Sequence, residues 1–307
     1  MSSKTLIAVV GPTAIGKTRL GITLATHLQT EIVSADSRQF FKEMNIGTAV
    51  PSMEELNAVP HHFIQHKSIL DPYSVGDFEK DAIGLLYTLF QKKDVVVMVG
   101  GSGLYVDAVI KGLDDFPEVD PKTRDSLNRG FKEKGLQYLQ KELRTRDPEY
   151  FNIVDIENPH RLIRALEICI TANQPYSSFL NQKKKERIFN PLYVGIEADR
   201  EIIYDRINQR VDLMMEAGLL EEARKLYPHR NLNALQTVGY RELFEYFDGN
   251  FTLEFAISEI KKNTRRFAKR QLTWLRKNKN ILWVKYDEKP NEILNKVSQH
   301  LNIGLNG

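Results

Sequence analysis

Residues 6–18 read LIAVVGPTAIGKT, an apolar run followed by a loop that begins at Gly11 and ends in Gly16, Lys17 and Thr18. The apolar run is typical of a short buried strand, and the residues after Lys17 have helical spacing. The loop matches G-x-x-x-x-G-K-[S/T], in which backbone N–H groups and a helix N-terminus face an anion. This stretch therefore predicts a phosphate-binding loop in which Lys17 adds positive charge and Thr18 can bind Mg²⁺.

Short apolar runs and helical patterns alternate after this loop. EIVSAD at 31–36 and DVVVMVGG at 94–101 are separated by the helical pattern DFEKDAIGLLYTLFQKK. Strands that alternate with helices predict a parallel sheet with helices on its faces. The fold class that we expect is therefore α/β, with a P-loop NTPase-like parallel sheet.

The apolar runs disappear from about residue 113 to 190, where charged helical patterns such as PKTRDSLNRGFKEKGLQYLQKEL replace them. They return at PLYVGIEAD, after which Asp199 is an expected N-cap, and Thr252 is expected to cap a later long helix. We therefore expect a core domain of residues 1–112 and 191–307, with basic helices at its C-terminal end. A helical insertion over 113–190 is expected to form a lobe that moves separately.

Cysteine content and charge limit the class of protein. The chain has 307 residues, a net charge of +3 and one cysteine, Cys169. One cysteine excludes an internal disulfide framework and a multi-cysteine zinc site, and His61, His62 and His66 are expected to pack or cap rather than to bind metal. The absence of a basic leader and of a long apolar segment predicts a cytoplasmic protein without a membrane span. We expect a monomer.

Basic charge is concentrated near the C-terminal end of the sequence. The segment KKNTRRFAKRQLTWLRKNK at 261–279 contains nine Lys or Arg and no acid. Lys262, Arg266, Arg270 and Lys277 fall on one stripe of the expected helix. A charged stripe is usually a solvated face, but the lack of acids favours contact with nucleic-acid phosphates.

The acid that accompanies most phosphate-binding loops is missing from its usual place. Kinases and ATPases hold Mg²⁺ with a carboxylate at the end of a second strand, whereas DVVVMVGGSG ends in glycines and a serine. The acid instead ends EIVSAD, at Asp36, and Ser37, Arg38 and Gln39 follow it. A carboxylate at this edge of a parallel sheet faces the ligand crevice. Asp36 is therefore a metal ligand, a proton acceptor or, in the simplest case, a helix cap.

Blocks with a recognisable order extend over most of the chain: GPTAIGKT (11–18), ADSRQFF (35–41), NIGTAVP (45–51), VPHHFI (59–64), VGGSGLY (99–105), HRLIRALE (160–167), RINQRVDLMMEAGLLEE (206–222), TVGYREL (237–243) and KRQLTWLR (269–276). Together they closely resemble the tRNA dimethylallyltransferase (tRNA isopentenyltransferase) family of bacterial type. Its members transfer a dimethylallyl group from dimethylallyl diphosphate to N6 of the adenosine immediately 3′ of the anticodon. The diphosphate is then only a leaving group, which explains the missing acid.

The resemblance also implies roles for individual residues. Asp36 would accept the N6 proton. Lys17, Thr18 and Arg210 would stabilise the departing diphosphate, with Mg²⁺ at Thr18, whereas Arg206 on the same helical face has no role implied. The donor would be lined by Gly11, Pro12, Thr13, Ala14, Ile15, Gly16, Lys17 and Thr18. The flipped adenosine and its surroundings would meet Asp36, Ser37, Arg38, Gln39 and Ser102. The anticodon stem-loop of tRNA would be held by three further groups: His160, Arg161, Leu162, Ile163 and Arg164; Gln236, Thr237, Val238, Gly239, Tyr240 and Arg241; and Lys269, Arg270, Gln271, Leu272, Thr273, Trp274, Leu275 and Arg276.

Three alternatives share parts of this pattern. An adenylate isopentenyltransferase that acts on free AMP or ADP has no need of the basic helix. A small-molecule kinase requires the acid that is missing after VVVMV. A non-catalytic RNA-binding protein has no need of Lys17, Asp36 and Arg210 together. The acceptor that gains label from dimethylallyl diphosphate distinguishes all of them.

The basic helix generates the first testable prediction. We expect the double substitution Arg270→Ala and Arg276→Ala to weaken tRNA binding. The salt dependence should fall by about one unit of log–log slope for each phosphate that the variant no longer neutralises. The affinity for dimethylallyl diphosphate should barely change, because the donor is held by other segments. Paired salt titrations of wild type and double variant measure the effect, and equal slopes would identify a solvated helix face instead.

Overall fold

The computed structural model describes residues 4–180 and 186–301. The chain divides into two compact units. The first consists of Met1–Lys111 and Arg187–Gly307, and the second of Gly112–Glu186. The chain therefore leaves the first unit once, after the fourth helix, and returns to it before the fifth strand.

The first unit contains a six-stranded, all-parallel sheet in the order β3-β2-β4-β1-β5-β6. Its strands are β1 (Thr5–Val10), β2 (Ile32–Ser34), β3 (His61–His62), β4 (Val95–Val99), β5 (Asn190–Glu197) and β6 (Ile281–Lys285). The predicted parallel α/β fold is thus confirmed. Sequence patterns did not predict β3, because two residues at a sheet edge have no measurable periodicity.

The central strand explains why LIAVV is continuously apolar. Side chains of a strand alternate between the two faces of the sheet. Leu6, Ala8 and Val10 of β1 join one buried cluster, and Ile7 and Val9 join the cluster on the opposite face. All five are fully buried, as expected for a parallel strand that helices cover on both faces.

Helices cover the sheet and make up the second unit. In chain order they are α1 (Lys17–His27), α2 (Met53–Ala58), α3 (Val75–Leu89), α4 (Gly103–Lys111), α5 (Pro121–Lys134), α6 (Leu136–Arg146), α7 (Pro148–Phe151), α8 (Pro159–Ala172), α9 (Arg200–Glu216), α10 (Leu219–Leu226), α11 (Tyr240–Phe247), α12 (Leu253–Leu275) and α13 (Pro290–Leu301). Thr252 caps α12 by accepting the N–H of Phe255, as predicted. Asp199 stands at the N-cap of α9, although no capping hydrogen bond of its side chain occurs within the described residues.

The second unit is formed by α5 to α8 around its own small core. The pattern that reads as continuous helix in the sequence is broken at Gly135, whose φ of +73° separates α5 from α6 because such a backbone cannot continue a helix. Leu139, Leu143 and Leu162 are fully buried in its core. Glu167, 1% exposed, binds Arg124 through two hydrogen bonds of 2.6 and 2.7 Å.

The returning chain joins the first unit earlier than the sequence pattern predicts. Arg187 donates to Glu79 Oε1 at 2.7 Å and to the carbonyl of Ala108 at 2.9 Å. Phe189 is buried against Phe90. The expected boundary at residue 190 is therefore too late, because no apolar run marks these anchoring contacts.

Two glycine substitutions test how closely α1 approaches the sheet. A Cβ at Gly21 would lie 2.4 Å from Cγ2 of Val99, whereas Gly84 in α3 has nothing within 4 Å. We expect Gly21→Ala to lower the free energy of unfolding by about 1–3 kcal/mol through overpacking. The matched Gly84→Ala should raise it by about 0.5–1 kcal/mol. Urea denaturation midpoints measure both, and shifts of the same sign would contradict the close packing.

Candidate active site

The loop between β1 and α1 has the backbone geometry of an anion cradle. Ala14 has a φ of +64° and Gly16 a φ of +104°, and left-handed residues of this kind turn successive N–H groups toward one point. Gly16 is the N-cap of α1, so the positive end of the helix faces the same space. Lys17 donates from Nζ to the carbonyl of Pro12 at 2.8 Å. The predicted phosphate-binding loop is thus formed at the carboxyl edge of the sheet.

Lys17 lies in an environment that disfavours the charged form of its ammonium group. Desolvation lowers the pKa of its ammonium from 10.5 to about 8; the Asp36 carboxylate opposes this shift and the Arg210 guanidinium adds to it. The pKa of Arg210 is also lowered, mainly by burial, against the opposing effect of Asp36. Two cations and one carboxylate therefore interact within one poorly hydrated space, and an anion that enters it meets excess positive charge.

Both arginines of the motif on α9 reach the loop. Arg210 donates to Thr13 Oγ1 at 3.4 Å, and Arg206 donates from Nε to the carbonyl of Ala14 at 2.7 Å. Residues four apart lie on the same helix face. The sequence motif implied a role for Arg210 and none for Arg206, but the structure brings both to the loop.

Asp36 follows β2 and lies beside Lys17 in the crevice. Its Oδ1 accepts the N–H of Arg38 at 3.1 Å, so Asp36 also caps the next turn. Ser37 and Ser102, from the loops after β2 and β4, have hydroxyls 3.3 Å apart. These groups come together because the carboxyl ends of neighbouring parallel strands meet at one sheet edge.

Arg38 and Gln39 stabilise neighbouring loops. Arg38 donates to the carbonyls of Asn233 and Ala234 at 3.0 and 2.9 Å. Gln39, 9% exposed, donates from Nε2 to the carbonyls of Thr48 and Ala49 at 3.2 and 2.9 Å. Their guanidinium and amide groups are thus used to hold backbone in place.

Two cavities meet at the charged residues. The first, about 370 Å³, is lined by Thr13, Ala14, Gly16, Lys17, Thr18, Asp36, Gln39, Thr48, Val99, Gly100, Arg206, Gln209, Arg210 and Leu213. The second, about 240 Å³, has a more apolar wall that includes Ile207, Met214, Val238 and Phe267. Five residues line both cavities: Thr13, Lys17, Asp36, Thr48 and Arg210. The junction therefore contains the acid, the lysine and the arginine that the sequence singled out.

Gln271 ties the basic helix α12 to the phosphate-binding loop. Its Oε1 accepts the N–H of Thr13 at 2.8 Å, and its Nε2 donates to the carbonyl of Gly101 at 2.8 Å. The side chain is 6% exposed. A Cβ at Gly101 would lie 2.4 Å from Nε2 of Gln271, and one at Gly100 would lie 2.9 Å from the carbonyl oxygen of Ala35. The packing therefore leaves little room for a side chain at either glycine.

The donor set suits a cation held mainly by phosphate oxygens. In residues 4–180 and 186–301 no group of three or more His, Cys, Asp or Glu could hold a metal ion. Thr18 and the Asp36 carboxylate line the same cavity. One or two protein oxygens beside a phosphate group fit Mg²⁺, which keeps much of its shell from water and substrate.

The three loop histidines contact other protein groups. His61 Nδ1 lies 2.7 Å from the carbonyl of Val59, and His62 Nε2 lies 2.7 Å from Glu31 Oε2. His66 packs edge-on against Phe40 and other rings. Each histidine thus has a packing or hydrogen-bonding role.

Several of the residues expected to touch tRNA have buried side chains. Leu162 and Ile163 belong to the core of the second unit, and Tyr240 and Leu275 to that of the first. Their side chains pack in these cores and are not exposed at the surface. Two of their expected neighbours, His160 and Arg161, are exposed, whereas Arg164 pairs with Glu167.

The remaining expected tRNA contacts divide between surface and cavity. Thr237, Val238 and Gly239 line the second cavity, and Gln236 and Arg241 are exposed. On α12 the exposed residues are Lys269, Arg270, Thr273 and, just after the helix, Arg276, while Leu272 is half-buried. Trp274 donates from Nε1 to Asp107 Oδ2 at 2.9 Å, and its ring fills the space where a Cβ of Gly103 would lie. Trp274 is therefore a packing residue with one polar contact.

The fold and loop define a P-loop protein with a helical insertion, and comparison with known proteins gives its family. The IPP transferase family model matches residues 39–278. The chain belongs to the IPP transferase family, which confirms the resemblance found in the sequence.

Relatives and solved structures agree with this family. The chain is 63% identical over 300 residues to the tRNA dimethylallyltransferase of Christiangramia forsetii, covering 98% of this chain and 99% of the relative. It is 59% identical to that of Flavobacterium johnsoniae, covering 98% and 100%. The crystal structure of the tRNA isopentenylpyrophosphate transferase from Bacillus halodurans matches with a TM-score of 0.72 and 39% identity over 97% of both chains. A eukaryotic dimethylallyltransferase acting on tRNA shares the fold, with a TM-score of 0.83, 23% identity and coverage of 99% and 81%. No helix of the described residues is long and apolar enough to cross a membrane.

The lowered pKa of Lys17 generates a pH prediction. A lysine with a pKa of about 8 is charged below pH 8 and neutral above it, and only the charged form attracts a diphosphate. We expect the affinity for a non-reactive dimethylallyl diphosphate analogue to fall as pH rises through 8, by at most about tenfold per further pH unit. Calorimetric titrations at pH 7 and 9.5 measure this fall.

The control is the neutral, similarly shaped variant Lys17→Met. It should bind the analogue about 10- to 100-fold more weakly at pH 7 and lose most of the pH dependence, whereas Lys285→Met, at an exposed lysine, should behave as wild type. Equal affinities of the wild type at the two pH values would contradict the assigned environment of Lys17.

Proposed function

We propose that this chain transfers the dimethylallyl group of dimethylallyl diphosphate to N6 of the adenosine immediately 3′ of the anticodon in tRNA, releasing diphosphate. The observation that carries the proposal is the junction of two cavities at Lys17, Asp36 and Arg210. A transfer between two substrates requires two binding spaces that meet where the bond changes.

The phosphate-binding loop supports a diphosphate donor in the first cavity. When the bond between C1 and the bridging oxygen breaks, negative charge develops on the diphosphate. Lys17 and Arg210 stand where they neutralise that charge, and the desolvated setting strengthens their effect. Arg206 donates to the carbonyl of Ala14 and so helps to hold the cradle in place.

The second cavity supports an adenine acceptor. A base at this depth must leave the anticodon stack, and a partly apolar wall with hydroxyls such as Ser37 and Ser102 suits a flipped base. N6 attacks C1 and its proton passes to the Asp36 carboxylate. One C–O bond breaks, one C–N bond forms and one proton moves, so the step needs no oxidant or reductant.

Mg²⁺ is part of this proposal. The Thr18 hydroxyl in the first turn of α1 would hold it beside the diphosphate. Bound there, the ion supplies further neutralisation of the leaving group. The residues of the chain retain the tasks of binding, orientation and proton acceptance.

The names of the relatives support a tRNA substrate over free AMP or ADP, and the exposed basic residues of α12 suit that substrate. Residues 100–102, which follow β4, contain no carboxylate, and this speaks against a kinase. We further propose that the chain acts as a monomer. A tRNA acceptor places the proposed reaction in the cytoplasm.

Substitution of the proposed proton acceptor tests the reaction. We expect Asp36→Asn to lower the rate of prenyl transfer at least about 100-fold, because an amide of the same shape cannot accept the N6 proton. The affinity for tRNA should stay within about twofold, since phosphate contacts dominate it. Labelled dimethylallyl diphosphate, offered with tRNA, AMP and ATP, reports both transfer and choice of acceptor.

Asp199→Asn is the matched control, because Asp199 also follows a strand of the sheet but lies outside both cavities. It should transfer at the rate of the wild type. If Asp36→Asn transfers the group at nearly the normal rate, Asp36 is not the proton acceptor. If the label appears in AMP and not in tRNA, the acceptor is the free nucleotide and the proposed tRNA acceptor is wrong.

A further inference from the structure

The Glu222 carboxylate lies outside the charged junction, and it binds the loop of residues 45–49. This loop forms part of the wall of the junction. Glu222 lies on α10 and accepts three successive backbone N–H groups: those of Asn45 and Ile46 to Oε2, at 3.0 and 2.8 Å, and that of Gly47 to Oε1, at 2.9 Å. Successive N–H groups around one anion form a concave backbone site of the kind that usually binds a ligand. Here a side chain of the protein fills it.

Tyr240 completes this arrangement from a third segment. Its hydroxyl donates to Glu222 Oε1 at 2.7 Å, and its side chain is fully buried. Burial and the neighbouring carboxylate raise the pKa of Tyr240, so the hydroxyl keeps its proton. A Cβ at Gly47 would lie 2.6 Å from the Tyr240 hydroxyl oxygen, so only glycine allows this approach.

The opposite side of the same loop is held as well. Gln39 binds the carbonyls of Thr48 and Ala49, and the Thr48 hydroxyl donates to the carbonyl of Met44 at 2.6 Å. The loop is therefore fixed between Gln39 and Glu222. Thr48 lines both cavities, and Gly47 lines the second.

We propose that Glu222 is a positioning residue that fixes Gly47 and Thr48 as the wall limiting the size of the transferred hydrocarbon group. This role rests on the proposed function. The reacting carbon is bonded to the leaving oxygen on the loop, and it must lie within about 3–3.5 Å of the nucleophile near Asp36. The hydrocarbon on that carbon therefore meets the wall at the junction, where Thr48 stands.

Loss of the hydrogen bonds between Glu222 and the loop should change the selectivity for the donor. The substitution Glu222→Gln keeps one acceptor oxygen but turns an NH₂ group toward backbone N–H donors, so part of the loop is released. The wall then yields to a longer chain, while the phosphate-binding loop keeps its contacts with Arg206 and Gln271. Selectivity for the short donor falls, and the affinity for the diphosphate group itself does not.

The experiment compares binding of two non-reactive thiolo-diphosphates, dimethylallyl and geranyl, by calorimetry, which requires neither tRNA nor turnover. We expect Glu222→Gln to reduce the preference for dimethylallyl over geranyl at least about tenfold, the size of effect that a hydrocarbon pocket has on selectivity. Inorganic diphosphate should bind within about twofold of wild type. Tyr240→Phe should shift the preference in the same direction by less, and Glu221→Gln, at the exposed neighbouring carboxylate, should leave it unchanged.

Amide hydrogen exchange gives a second readout that does not depend on the function. The N–H groups of Asn45, Ile46 and Gly47 should exchange faster in Glu222→Gln than in Glu221→Gln. An unchanged donor preference, with or without lower thermal stability, would reduce Glu222 to a structural residue and overturn the inference. If the wild type binds neither analogue, the proposed donor is overturned instead. Unchanged amide exchange in Glu222→Gln would independently show that Glu222 does not hold the loop.

Discussion

The buried amide of Gln271 is the contact on which the site depends. It satisfies the N–H of Thr13 and the carbonyl of Gly101, two backbone groups of different loops. A buried polar group without a partner costs about 1–3 kcal/mol, so an apolar residue at this position would leave both loops unsatisfied. The helix that presents basic residues to solvent is thereby part of the phosphate-binding site.

Charge in the crevice follows from this close packing. Because the loops after β1, β2 and β4 approach one another closely, little water remains around Lys17, and its pKa falls to about 8. Asp36 offsets part of the cost of holding two cations there. A site of this kind favours a multiply charged anion, because the anion neutralises the two buried cations, and it disfavours a neutral ligand.

Local patterns were enough to predict the parallel sheet apart from β3, the loop, and Lys17 and Asp36 at the junction, whereas Arg210 was found through the resemblance to a family. Lys17 and Asp36 each follow a recognisable strand, and the order of parallel strands brings them to one edge. The roles of Gln271 and Glu222 could not be predicted, because each depends on a partner far away in the chain. The burial of Leu162 and Tyr240 could not be predicted for a related reason: a motif identifies neighbours in sequence, but packing decides which of them face inward.

The contact between Thr13 and Gln271 spans 258 residues, and β1 pairs with β5, which follows the insertion. During synthesis the N-terminal strand and its loop therefore emerge long before the groups that complete them. Domains usually fold as units when their residues are available, and here the second unit is continuous in sequence while the first is not. A nascent chain that stops before α12 has the full phosphate-loop motif but lacks Gln271, so the loop acquires this contact only near the end of translation.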